Sequence, residues 1–306
     1  MKVGHRETEM SGTHWSEGGN EKPQRGKETA MSTPMLESLS TKLNRITEMA
    51  RQSPNLQFRT LAHLINPQSM EEAFGLLKRN AAAGIDGVTV GEYEQNLGRN
   101  LKELHERLKQ KRYRAQLMRR VFIDKEDGKK RPLSIPAIED KIVQRAVVEI
   151  LNRIYEQDFL PCSYGYRPER NAHDAVDAIR EKITTGKVSF VLDADIRDFF
   201  GSIDKKKLME MLKRRVADQD ILRTIGKWLH VGVMEEGRLL HPETGVYQGS
   251  VISPILANLY LHVVLDEWVE HTVKPRMKGE VTLFRFCDDF IVCFQYKGQC
   301  FGAKLS

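Results

Sequence analysis

Three carboxylates in two separate segments carry the candidate chemistry of this sequence. Asp195 closes the run Val188-Ser-Phe-Val-Leu-Asp-Ala-Asp195, and Phe286-Cys-Asp288-Asp289-Phe290 places two more acids between two apolar runs. Carboxylates repel one another, so gathering them is unfavourable without a cation. Mg²⁺ takes hard oxygen ligands, keeps several waters and binds through one or two carboxylates plus substrate phosphates. A strand with one acid beside a hairpin with two can hold two divalent cations for phosphoryl transfer. That reaction needs positioning and charge stabilisation more than covalent help. Alone, each piece is common: Asp-x-Asp marks many strand edges, and Asp-Asp many solvated turns. The segments between and before them give them weight.

Val188, Phe190, Leu192, Ala194 and Ile196 alternate onto one face of a strand over 188–196, which sets Asp193 and Asp195 together on the other. Residues 282–295 predict a hairpin with Cys287-Asp288-Asp289 at its tip. Between these lies Gly245-Val-Tyr-Gln248-Gly249-Ser-Val-Ile-Ser253-Pro254, a loop whose glycines let backbone approach a nucleotide or template base. It runs into a helix expected to start with Ser253 as N-cap and Pro254 at the first position, and to reach about residue 270. Asp204 predicts the N-cap of another helix, with Leu208, Met211, Leu212 and Val216 inward. Upstream, helices are expected over 36–51, 92–112, 139–157 and 171–184, the last with Ala172, Ala175, Val176 and Ile179 on one face. A hairpin over 121–133 turns at Asp127-Gly128. Helix and strand are mixed without regular alternation, so the fold class is α+β.

The 48 Lys and Arg against 42 Asp and Glu give a mild bias toward polyanions. The bias is local: twelve Lys or Arg stand against five acids between Lys102 and Arg131. Four cysteines without CxxC spacing predict no disulfide framework and a reducing, cytoplasmic compartment. No stretch reaches the roughly 18 apolar residues of a membrane span, and the N-terminus has no apolar signal-peptide core. Residues 1–34 are too poor in large apolar groups to offset ordering entropy and are expected to be a disordered leader.

The chain resembles the reverse transcriptases of bacterial group II introns, the maturase type. The matching blocks run in that family's order from about residue 56 to 295. They are Phe58-Arg-Thr-Leu-Ala-His-Leu-Ile with Ala83-Gly84-Ile-Asp86-Gly87; Val121-Phe-Ile-Asp-Lys125 through Arg131-Pro132-Leu-Ser-Ile-Pro136; and Ser163-Tyr-Gly165-Tyr-Arg167-Pro168 with Ala172-His173. Asp195-Ile-Arg-Asp-Phe-Phe200, Gln248-Gly249 with Ser253-Pro254 and Ala257-Asn258, and Phe286-Cys-Asp288-Asp289 complete them. The resemblance implies right-hand polymerase fingers and palm. It divides the chain into a leader (1–34), a helical N-terminal extension (35–100), fingers (101–187) and a palm incomplete at its C-terminus (188–306), with the thumb absent.

It also implies roles. Asp195 and Asp288 would ligate two Mg²⁺, with Mn²⁺ as a substitute, Asp289 beside them and the Ile196 carbonyl as a further ligand. Lys125 and Arg131 would contact the incoming triphosphate, and Phe200 would leave no room for a 2′-hydroxyl. Gln248 and Gly249 would shape the nucleotide and template pocket. Lys111, Arg112, Arg114, Arg119 and Arg120 would support the template–primer backbone. The partners would be an RNA template of group II intron type, a DNA primer and deoxynucleotides, with no membrane.

Three departures accompany the match. Phe286-Cys287 stands where the family usually has Tyr-Ala, Tyr247 replaces a proline before Gln-Gly, and Gly201 replaces an Asp after Phe-Phe. The chain ends at Ser306, soon after Asp289, where the family continues into the rest of the palm and a thumb, a tail that a frameshift or a truncated gene would explain. A non-catalytic RNA-binding fragment that assists splicing is the alternative reading. A two-metal nuclease is disfavoured, because no His or further acidic cluster accompanies the three acids.

Overall fold

A computed structural model of the chain describes residues 38–124, 128 and 130–297. The expected leader, Lys125 and Asp127 lie outside the described residues. The Ser38 hydroxyl accepts the Thr41 N–H and starts α1 (Leu39–Gln52), which buries Leu39, Leu43, Ile46 and Ala50. Asn66 and Ser69 cap each other reciprocally at α2 (Pro67–Gly75), with Pro67 at its start. The helix expected over 92–112 is instead two, α3 (Val90–Glu94) and α4 (Leu97–Lys109). At the break the Asn100 side chain donates to the Tyr93 carbonyl at 2.9 Å, satisfying an acceptor that a continuous helix would have used.

Strands β1 (Met118–Asp124) and β2 (Lys130–Ile135) pair antiparallel, and Gly128 takes the positive φ of 77° that the turn requires. Helix α5 (Ile138–Tyr155) is buried nearly all round, including Asp140, Lys141 and Gln144, so it is a central helix rather than an amphipathic surface one. On α6 (Ala172–Thr185) only Ala175 is buried, and Val176 is 60% exposed, so the apolar face expected there is only partly used.

Strand β3 (Phe190–Asp195) leads through α7 (Phe199–Ser202), a single turn, to α8 (Lys205–Lys213) and α9 (Gln219–His230). Asp204 caps α8 by accepting the Lys206 and Lys207 N–H groups at 2.8 and 3.0 Å. Leu208, Leu212 and Val216 are buried as expected, while Met211 is half-buried. Strands β4 (Val233–Glu235) and β5 (Arg238–Leu240) follow, then α10 (Ser253–Leu261). Here the expected cap is displaced: Ile252 is the N-cap, Ser253 and Pro254 are the first helical residues, and the Ser253 hydroxyl donates to the Tyr247 carbonyl at 2.8 Å. The helix continues through two π-helical turns, His262–Asp266 and Val269–Val273. Strands β6 (Val281–Phe286) and β7 (Asp289–Phe294) end the described chain.

Two sheets result among the described residues, one ordered β2-β1-β4-β5 and one antiparallel, ordered β3-β7-β6. A shared apolar core joins α1, α2, α5, α8, α9 and α10 to the inner face of the second sheet. No helix among the described residues is long and apolar enough to cross a membrane.

Asp218 ties the N-terminal helices to α9. Its Oδ1 accepts the Asp220 and Ile221 N–H groups at 2.9 and 3.1 Å, capping the helix, and its Oδ2 accepts those of Leu61 and Ala62 at 2.6 and 2.8 Å. Burial pushes this carboxyl up, but the four backbone donors outweigh it and leave its pKa lowered. Asp218→Ala should therefore destabilise the fold by about 2–3 kcal/mol at neutral pH. Because the folded pKa is depressed, that contribution is present above pH ~4 and is lost as pH falls through the folded value. Urea unfolding of both proteins at pH 7 and pH 3 checks this, with the gap between them narrower at pH 3.

Candidate active site

Antiparallel register brings the acids together. Asp195 ends β3 directly opposite Asp289 on β7, and Asp289 is in turn opposite Phe286 on β6. The turn is therefore Cys287-Asp288 alone, and Asp289 is the first residue of its strand rather than part of the tip. Cys287 takes a φ of 59° in that two-residue turn, a conformation usually left to glycine. Exposed Asp193 and Asp195 alternate with half-buried Leu192 and Ala194 along β3, as the strand period requires.

Like charges directly across a ladder are unfavourable, and the effect registers at Asp289. Burial, then Asp288, Asp195 and Asp193, raise its pKa above the ordinary carboxylate value. Such a set suits a divalent cation, which would relieve the repulsion. Among the described residues no three acid, His or Cys side chains form a ready-made metal cage. The donor set fits Mg²⁺ in the way Mg²⁺ is usually held, with waters and substrate phosphates completing the shell.

The acids line a cavity of about 490 Å³ together with Ile196, Phe200, Gln248, Arg131, Lys130 and Arg120. Phe200 is buried in the turn after β3, and the Phe199 and Phe200 rings meet edge to face at 5.6 Å. The Phe200 carbonyl accepts the Val246 N–H at 2.8 Å, and Gly245, at φ 91°, lies in close contact with Gly201. Asp198, at φ 46°, turns its carboxylate into the space that a side chain at 201 would occupy, so the acid missing at 201 stands three residues earlier.

Gln248 and Gly249 lie against β2. The Gln248 carbonyl accepts the Ser134 N–H at 2.7 Å, and Gly249, at φ 95°, sits tightly on β2, where a Cβ would stand 3.0 Å from the Ser134 carbonyl oxygen. Tyr247 is buried and its hydroxyl donates to the Val231 carbonyl, so the residue replacing the family's proline fixes the loop through its side chain.

The basic residues disperse. Arg120 lines the cavity and faces Glu235 at 3.4 Å. Arg119 is taken up internally by the Ala83 carbonyl, at 3.0 and 2.7 Å. Lys111 pairs with Asp220 at 3.4 Å, and Arg112 and Arg114 are exposed away from the cavity.

Residues without a role in the sequence reading hold the site from behind. Gln144, fully buried on α5, accepts the Ser250 hydroxyl and the Val251 N–H at 2.9 and 3.0 Å and so fixes the loop after Gly249. Gly165 packs directly on the backbone and sulfur of Cys287, and the Asn258 amide donates to its carbonyl at 2.6 Å. Tyr166 neighbours the Cys287 thiol, whose pKa burial pushes up to about 11. The readable signal was a charged residue inside an apolar run, Arg285 in its strand and Asp266 after α10, whereas Gln144 sits among charged neighbours on α5 and gave no such signal.

Residues 123–303 match the family model described as reverse transcriptase (RNA-dependent DNA polymerase). Protein YkfC of Escherichia coli (strain K12) is 32% identical over 231 residues, which cover 73% of this chain and 61% of that protein. The group II intron-encoded protein LtrA of Lactococcus lactis subsp. cremoris is 32% identical over 229 residues, covering 74% of this chain and 38% of that protein. A solved chain of a partial Cas6-RT-Cas1–Cas2 complex aligns with 76% of this chain and 38% of its own length, at 24% identity and a TM-score of 0.45. The chain thus spans less than two thirds of the length of each of these relatives.

Proposed function

The chain belongs to the reverse transcriptase (RNA-dependent DNA polymerase) family, and on that premise we propose that it forms the fingers and palm of a group II intron-type enzyme. The reaction would add deoxynucleotides to a primer 3′-hydroxyl on an RNA template. The division into N-terminal extension, fingers and palm is part of this reading. The observation that carries it is the convergence of Asp195, Asp288 and Asp289 with Arg131, Phe200 and Gln248 on one cavity.

Asp195, Asp288 and the Ile196 carbonyl would hold two Mg²⁺, with Asp289 adjacent. Bound there, the cations supply Lewis-acid stabilisation of the charge on attacking and leaving oxygens. The chain's own residues supply position. Arg131 faces the cavity from β2 and would bind the triphosphate through charge-assisted donors, with Lys125 in the same role. Arg120 lines the same cavity, which moves it from the template backbone to the triphosphate in this reading. Phe200, pinned through its carbonyl to Val246, would set a rigid floor beneath the sugar. Gln248 and Gly249, fixed on β2, would shape the base pocket. Arg112 and Arg114, both exposed, would make backbone phosphate contacts that weaken with salt.

Primer extension on an RNA template with deoxynucleotides and Mg²⁺ tests the function. Phe200→Ala tests the sugar filter. It should leave deoxynucleotide addition measurable and raise the relative use of ribonucleotides by roughly 10- to 100-fold. Unchanged discrimination would remove Phe200 from that role.

A further inference from the structure

We propose that Arg285 is the positioning residue for the metal-binding turn: its guanidinium clamps the peptide group from which Asp288 departs. This rests on the reading of Asp288 as a metal ligand. Arg285 lies one residue before Phe286 on β6 and is 0% exposed. Its partners use every donor a guanidinium has. Nε and Nη2 donate to the two oxygens of Asp266 at 2.8 and 2.7 Å, and Nη2 also donates to Ser163 Oγ at 2.7 Å. Nη1 donates to Asn258 Oδ1 at 3.1 Å and to the Cys287 carbonyl at 2.9 Å.

The last of these bonds carries the inference. The Cys287 carbonyl and the Asp288 nitrogen share one planar peptide group, so fixing the carbonyl fixes the direction in which Asp288 leaves the turn. That bond also holds Cys287 at its positive φ, which an L-residue adopts only when its surroundings over-determine it. The remaining acceptors anchor the clamp to separate elements. Asp266 lies in the π-helical turn after α10, Asn258 on α10 itself, and Ser163 in the segment bridged to Arg285 through its backbone. In that bridge the Arg285 N–H donates to the Cys162 carbonyl and the Tyr164 N–H to the Arg285 carbonyl, at 2.8 and 2.9 Å. Lysine cannot reproduce this fork, because it offers a point charge without planar geometry.

Groups that orient metal ligands without touching the metal typically control affinity by 10- to 100-fold. Mn²⁺ binding to the full chain, read by the loss of the free-ion electron paramagnetic resonance signal, tests the proposal without relying on turnover. Arg285→Lys should weaken Mn²⁺ binding by about 10-fold. Arg167→Lys is the control. Arg167 is also buried, in the neighbouring network of Glu156, Leu160 and Ser163, and donates no hydrogen bond to Cys287, so its variant should bind Mn²⁺ as the parent does. If Arg285→Lys fails to fold by circular dichroism, Ser163→Ala carries the test. It removes one acceptor of the clamp and should weaken binding by about 3-fold, a fraction of the full effect. Parent-like affinity in whichever of the two is folded overturns the proposal, as does an equal loss in Arg167→Lys. Asp288→Asn is the reference: if it too binds Mn²⁺ like the parent, the metal-site reading itself falls.

Discussion

Asp288→Asn should reduce Mg²⁺-dependent primer extension by about 10³-fold or more, since a lost metal ligand removes several kcal/mol of transition-state charge stabilisation. Asparagine keeps the shape of the side chain and removes the charge, so the turn at Cys287-Asp288 should persist. The neighbouring acid should behave differently. Asp289 begins β7 with its backbone in the ladder, and its pKa is raised by burial and by the three surrounding carboxylates. Asp289→Asn relieves that repulsion and should cost extension only about 10-fold, a smaller share of the same stabilisation.

A second measurement separates metal loss from unfolding. Mg²⁺ that binds only the folded state raises its stability by mass action. The parent chain should therefore melt at a higher temperature with Mg²⁺ than with EDTA, and Asp288→Asn should show no such rise. Full extension by Asp288→Asn would overturn the polymerase reading. No extension by the parent, together with salt-dependent RNA binding that Asp195→Ala leaves intact, would favour the non-catalytic RNA-binding alternative.

Strand alternation was enough to read Asp193 and Asp195 on one face, because the period of two is a property of the backbone. The hairpin around Cys287 was equally legible, since two apolar runs flanked a short polar gap. The register was not. Only pairing across β3, β7 and β6 sets Asp195 against Asp289 and leaves Asp288 alone in the turn with Cys287. Ser253 shows a similar limit: Ser-Pro suggested an N-cap, but a buried acceptor, the Tyr247 carbonyl, claimed the hydroxyl. The basic run from Lys102 to Arg131 read as one surface and separated in three dimensions. One strand, β1, sends Arg119 inward to Ala83 and Arg120 toward the cavity. Charge counts along a chain carry no information about which side of a strand each charge occupies.

Gly165→Ala tests how tightly the site depends on that hidden packing. Gly165 belongs to the block Ser163-Tyr-Gly165-Tyr-Arg167-Pro168, which the sequence marked without assigning a purpose. The structure supplies one: a Cβ on residue 165 would fall well inside van der Waals contact of the Cys287 nitrogen and sulfur and 3.0 Å from its Cα. Two of those three atoms are backbone, so rotating a side chain does not relieve the overlap. The Cys287 turn cannot retreat easily either, with its carbonyl held by Arg285 and Gly165 itself held through the Asn258 amide. Overpacking of this kind typically costs about 1–3 kcal/mol, so the variant should fold with a reduced melting temperature. Its effect on catalysis should be disproportionate, because the displaced atoms lead directly into Asp288. A misplacement of about 1 Å can cost about 10²-fold in rate, and extension by the folded variant should fall by that order. A variant that loses stability yet extends primers at the parent rate would show that the turn absorbs the strain without moving Asp288, and that Gly165 serves the fold alone.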